Sequence, residues 1–139
     1  MKHTFNVSHL IIALACLLTG GMLLAQTGGI QRSVALRADV SHPNHEVFVV
    51  VATLSPGTVA EPHTHPGDEI TYVLEGEGEL SIEGEPTRKV KAGDAFIVPA
   101  GKVHGGKNTG TVPYRVIASY IVEKNKPLAT LVPAAGGAK

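Results

Sequence analysis

From Ser33 onward, apolar residues recur at every second position in short runs, and glycine, proline and asparagine break the runs apart. A period of two sends successive side chains to opposite faces of an extended strand. In residues 33–40, Val34, Leu36, Ala38 and Val40 alternate with Ser33, Ala35, Arg37 and Asp39, which predicts a strand with the first four on its core face. Ser41-His42-Pro43-Asn44 is turn chemistry. Residues 46–54 are almost continuously apolar, as expected of a strand covered on both faces, and Pro56-Gly57 ends them. Residues 69–75 and 79–83 predict a hairpin around Gly76 and Gly78, and residues 87–91 return after Gly84-Glu85-Pro86. Residues 95–98 form a short strand closed by Pro99-Ala100-Gly101, and residues 113–123 make the longest strand. No stretch holds three turns of helical periodicity, and no repeat or linker intervenes. Short strands at this spacing predict an all-β barrel or sandwich.

Composition agrees with that reading. Sixteen glycines and nine prolines are too many for a helical bundle. Tryptophan is absent and Phe and Tyr number three each, so the core is expected to be built from Val, Ile, Leu and Ala, as suits strands. A length of 139 residues bounds the chain to one domain. Acidic and basic residues balance at 12 each, without the clustered basic excess of a nucleic-acid footprint.

The start of the chain reads differently. Lys2 and His3 precede an uncharged, largely apolar run over residues 10–25, the pattern of a secretory signal peptide, with cleavage expected after Ala25. An uncleaved anchor is the second reading, though 16 residues are short for a span. Lipidation at Cys16, after Ala13-Leu14-Ala15, is the third. The expected organisation is a signal peptide over 1–25, a flexible leader over 26–32, a barrel over 33–123 and a flexible tail over 124–139. The processed protein would be periplasmic or secreted, with no membrane attachment. Cys16 is the single cysteine, so that form has neither a disulfide nor a thiolate ligand. No twin arginine precedes the apolar run, which points to export in the unfolded state, so that any ligand of the folded protein is collected outside the cytoplasm.

The chemistry concentrates in few residues. His63-Thr64-His65 sets two imidazoles at i and i+2, on the same side of a strand, and Glu69 shares their parity. His104 follows a second Pro-Gly turn on another strand. Neutral imidazole with carboxylate suits Mn, Fe, Zn, Ni or Cu. Four donors leave two positions of an octahedral ion open for water or substrate. A His-x-His pair alone is weak grounds, because such pairs are more often hydrogen-bonded core or surface. His42 and His45 flank a turn and read as solvated residues rather than as a third imidazole donor. Glu75, Glu77, Glu79, Glu83 and Glu85 read as a solvated face, and Asp68, opposite in parity to Glu69, as exposed. Tyr72 points away from Glu69. Arg115 and Ser119 share one face of the last strand and Tyr114 and Tyr120 the other, with the inward face open.

Spacing then carries a family resemblance. Gly57, five residues, His63-Thr64-His65, three residues, Glu69, six residues and Gly76 are similar at each fixed position to the first cupin motif. Gly93, five residues, Pro99, one residue, Gly101, two residues, His104, three residues and Asn108 resemble the second. Ten fixed positions in two linked patterns are far more specific than either pair of histidines. The resemblance implies a double-stranded β-helix, a jelly-roll-like barrel, holding one divalent metal ion on His63, His65, Glu69 and His104. Gly57, Gly76, Gly93, Pro99, Gly101 and Asn108 read as turn formers. Small single-domain relatives of this kind include dioxygenases, isomerases and lyases. Dioxygenase-like oxidation of a small organic molecule is therefore expected first, with a non-catalytic small-molecule binder as the alternative. The resemblance also implies a homodimer, with residues 33–40 as the edge that pairs.

Overall fold

Each run of alternating residues becomes a strand because its polar backbone groups need partners and its apolar face needs cover, and a second sheet supplies the cover. The computed structural model describes residues 29–133, so the expected signal peptide, the first three residues of the leader and the last six residues of the chain lie outside the described residues. Among the described residues ten strands form: β1 (Ile30–Asp39), β2 (His45–Leu54), β3 (Val59–Thr64), β4 (Gly67–Glu75), β5 (Glu77–Ile82), β6 (Arg88–Lys91), β7 (Ala95–Val98), β8 (His104–Asn108), β9 (Tyr114–Glu123) and β10 (Thr130–Leu131). Two five-stranded sheets, ordered β1-β2-β9-β4-β7 and β10-β3-β8-β5-β6, face each other. All pairings are antiparallel. This is the all-β, double-stranded β-helix architecture that the motifs imply.

The inner faces bury Leu54, Val73, Leu80, Ile82, Val90, Val98, Tyr114 and Val116 as the main core. A smaller cluster of Phe48, Val50 and Val122, with Tyr120 and Leu128 packed on it, fills the opposite end. Turn chemistry holds the strands in register. Pro99 and Lys102 close a type II turn (Lys102 N–H to Pro99 O, 3.1 Å) in which Gly101 takes the positive φ of 74° that such a turn requires. Asn108 is fully buried: its amide donates to Leu54 O at 2.9 Å and Val112 O at 2.8 Å, and its Oδ1 accepts from Gly110 N–H. It ties the β2–β3 and β8–β9 connections together from within the core.

Four expectations need correction. Strand β1 starts three residues before the expected Ser33, and Ile30, assigned to the leader, is buried in the main core. Val34, Leu36, Ala38 and Val40 do not share one core face: a bulge between Val34 and Leu36 pairs Val34 with Val50 but Leu36 with Val49, sending Leu36 to the outer face. Residues Val34 and Leu36 are both exposed. In β2 burial alternates strictly, with Phe48, Val50, Ala52 and Leu54 inside and Val47, Val49 and Val51 half-buried on the outer face, so cover on that side is partial. Finally, the stretch after β9 is ordered: Lys124 N–H donates to Asn44 O (2.9 Å), and β10 pairs with β3. It crosses from the first sheet to the second instead of trailing away.

Candidate metal centre

A register slip in β3 places the histidines. Val59 and Ala60 pair with Lys107 and Gly106, then the ladder shifts before His63 meets His104. The extra residue falls at Glu61-Pro62, where proline has no N–H to give and a bulge removes the need for one. Ala60 faces the core before the bulge; His63 and His65 face it afterwards. The chain then crosses between sheets at His65-Pro66, so His65 stands at the seam. In β4 the residues Gly67, Glu69, Thr71 and Val73 alternate inward. Gly67 is needed there, since a Cβ would sit 1.9 Å from Ile121 O.

His63, His65, Glu69 and His104 come together, with one ligand atom from each lying within 4.8 Å of the others. His65 Nε2 and His104 Nε2 approach Glu69 Oε2 at 3.0 and 3.1 Å. The second carboxylate oxygen, Oε1, accepts the Thr71 hydroxyl at 2.6 Å. Each imidazole is held from behind by a backbone carbonyl: Nδ1 of His63 by Glu61 O (2.7 Å), of His104 by Lys102 O (3.0 Å) and of His65 by Leu128 O (2.5 Å). A carbonyl only accepts, so Nδ1 carries the hydrogen and the Nε2 lone pair is aimed at the centre.

That arrangement fits a cation. His65 Nε2 is buried without a hydrogen-bond partner, because its approach to Glu69 lacks hydrogen-bond alignment. Imidazole lone pairs gathered around a carboxylate oxygen in a buried site repel one another unless a positive centre lies between them. Burial drives the His63 pKa down to about 4 against the opposing Glu61 carbonyl, which keeps the ring neutral and ready to ligate. Burial also lowers the His104 pKa, but the hydrogen bond to Glu69 and the Lys102 carbonyl outweigh it, and the net direction is up. Burial alone would raise the Glu69 carboxyl; the close approach of the His104 and His65 rings, with the hydrogen bond from Thr71, outweighs it and holds the carboxyl well below the usual carboxylate range. Glu69 is therefore the anionic donor of the set.

The remaining candidates lie apart from these four. His42 and His45 contact each other in the β1–β2 turn, ring centroids 4.5 Å apart, and His45 Nδ1 donates to Pro43 O. Tyr72 lies exposed on the outer face of β4. In β9 the open question resolves toward the tyrosines: Tyr114 and Tyr120 face inward, and Tyr120 packs against His65 at 4.6 Å between centroids. Gly57, Gly76, Gly93 and Gly101 occupy turns with positive φ. Three supporting groups escaped sequence reasoning. Thr71 carried a usable signal, being two residues from Glu69 on the same strand face. Asp68, exposed as expected, also accepts from Ala100 N–H (2.9 Å) and so braces the turn leading to His104. Leu128 had no local signal, for it lies 63 residues beyond the histidine it supports.

Comparison with known proteins settles the family. The Cupin domain family model matches residues 50–120, which contain all four ligand candidates. The chain is a cupin. Germin-like protein subfamily 2 member 2 of Arabidopsis thaliana is 39% identical over 71 residues, 48% of this cupin and 32% of that protein. The cupin thus spans about a third of the length of that relative. Among solved structures, KdgF from Halomonas sp. aligns at 30% identity and TM-score 0.58, covering 73% of this chain and 86% of the other. A Klebsiella pneumoniae protein with a double-stranded β-helix domain aligns at 30% identity and TM-score 0.61, covering 81% and 91%.

Proposed function

We propose that this cupin is an exported metal-dependent enzyme acting on a small organic molecule, with dioxygenase-like oxidation as the first chemistry to test. The observation that carries the reading is the convergence of three Nε2 atoms and one carboxylate oxygen on one buried point, with the other polar atom of each side chain already held. A divalent ion bound there (Mn, Fe, Zn, Ni or Cu) would supply a Lewis acid or redox centre with positions left for substrate. His63 is half-buried while the other three ligands are buried, so a small molecule reaches the centre on its side. Burial pushes the Tyr120 hydroxyl pKa up, so it keeps its proton and acts only as a neutral polar group beside His65. Phe48, Val50 and Val122 add apolar surface at the same end of the barrel, which suits a small organic substrate better than a sugar.

In the same reading the protein pairs as a homodimer through β1 and the outer face of its sheet. Leu36, Ile70, Tyr72, Leu74, Ile97 and Ile121 are exposed there, an apolar face on which a second copy would pack.

Elemental analysis of the natively exported protein, followed by oxygen-uptake assays on small phenols and diketones, tests the proposal. One divalent ion per chain, with uptake abolished by its removal, is the expected result. Protein without stoichiometric metal overturns the reading. Stoichiometric metal with saturable ligand binding and no turnover selects the non-catalytic binder.

A further inference from the structure

The three imidazoles are oriented alike, but their supports differ in origin. His63 and His104 lean on carbonyls two residues back, those of Glu61 and Lys102, so local strand geometry aims them. His65 leans on Leu128 O, in the segment between β9 and β10. That segment leaves the first sheet beside Asn44, crosses one end of the barrel, and joins the second sheet, where Leu131 pairs with His63 and Val132 N–H donates to Pro62 O at 2.9 Å. On the way the Leu128 side chain packs on Phe48, Val50 and Val122. Its anchors are few: a two-residue ladder, two backbone hydrogen bonds, one apolar side chain and two partly exposed ion pairs at its start, Lys124 with Asp39 (2.8 Å) and Lys126 with Glu123 (2.7 Å). Such a segment opens at a lower free energy than the sheets it bridges.

We propose that residues 124–131 form a strap whose docking and metal capture are a single coupled equilibrium, with Leu128 as the positioning residue for His65. The proposal rests on the metal-binding reading above. When the strap is docked, the Leu128 carbonyl selects the His65 tautomer with hydrogen on Nδ1 and a free lone pair on Nε2. When it is undocked, His65 loses that acceptor and divides between tautomers and ring orientations, of which only some can ligate. Coupling of this kind is reciprocal: the factor by which the docked strap tightens the ion is the factor by which the ion favours the docked strap.

The test uses the full chain with Zn2+ as probe, following hydrogen exchange at the Val132 amide and the His65 Nδ1 hydrogen by NMR. Zn2+ is expected to slow exchange at both positions by roughly 10- to 100-fold, the range for groups that orient metal ligands. A chain ending at Lys126 should bind Zn2+ more weakly by a similar factor and lose the His65 Nδ1 hydrogen signal while keeping those of His63 and His104. A chain ending at Pro133 should match the parent. Should the shorter chain fail to fold, the exchange measurement on the full chain still decides. Strap exchange unchanged by bound Zn2+, or a folded Lys126-terminated chain with parental affinity, overturns the strap alone. Failure of the full chain to bind Zn2+ removes the metal reading beneath it.

Discussion

Glu69 carries the negative charge of the centre, and its two oxygens divide the work: Oε1 is occupied by Thr71, Oε2 faces the imidazoles. Glu69→Gln should keep the fold but weaken metal binding by at least about tenfold, read by chelator competition, because it removes the anionic donor. His104→Ala should cost much more affinity than His42→Ala, since His42 packs on His45 in the β1–β2 turn and is not one of the four clustered donors; equal losses would mean the third imidazole is misassigned. Acid should release the ion through His104. Its pKa is raised above the ordinary histidine value, so above that pKa Nε2 is free to ligate, and below it a proton bridging to Glu69 competes with the metal. Affinity should therefore fall by up to about tenfold per pH unit as pH drops through that point. His63, whose pKa burial drives down to about 4, adds its own proton competition only in stronger acid. A pH-independent affinity between about pH 5 and 8 would contradict this assignment.

Among the elements, the connections demand more of particular residues than the strands do. Gly76 turns from β4 into β5 with φ of 76°, and an added Cβ would sit 2.5 Å from Pro113 O. Gly76→Ala therefore meets both a left-handed backbone and an immovable carbonyl, and should destabilise by about 1–3 kcal/mol or more, measured as a lower urea midpoint with an unchanged slope. Strand positions and most turns were legible in the sequence because a period of two and Gly-Pro punctuation are local properties. The bulges were not. Those in β1 and β3 each add one residue and reverse the parity of everything after them, so Leu36 faces outward while His63 and His65 face inward. The parity of His63, His65 and Glu69 relative to one another survived, since no bulge separates them. Their facing relative to Ala60 could not be read, because it depends on the partner strand.

For the molecule as a whole, two expectations follow from the proposed export and from the outer sheet face. Protein folded in the cytoplasm from a chain lacking residues 1–25 should carry a different metal from the exported form. A nitrogen- and oxygen-donor site accepts several divalent ions, and supply in the compartment of folding then decides. Elemental analysis of both preparations giving the same single metal would count against it. Sedimentation should show a dimer that Ile97→Asp, placed on the exposed apolar face, shifts to monomer without disturbing the metal centre. A parent protein that sediments as a monomer at high concentration would remove the pairing proposal.

The ten motif positions, the alternation of the strands and the donor types determine, from sequence alone, that this chain is a β barrel with four metal-competent side chains in two linked segments. Those properties depend on spacing, and spacing is written in the chain. Tertiary structure alone decides which face of β9 looks inward, that His104 meets Glu69 from the opposite sheet, and that Leu128 braces His65 from 63 residues away. Each of these depends on which strands lie side by side. Pairing of that kind is chosen by burial and hydrogen bonding across the whole barrel, and no local pattern of residues encodes it.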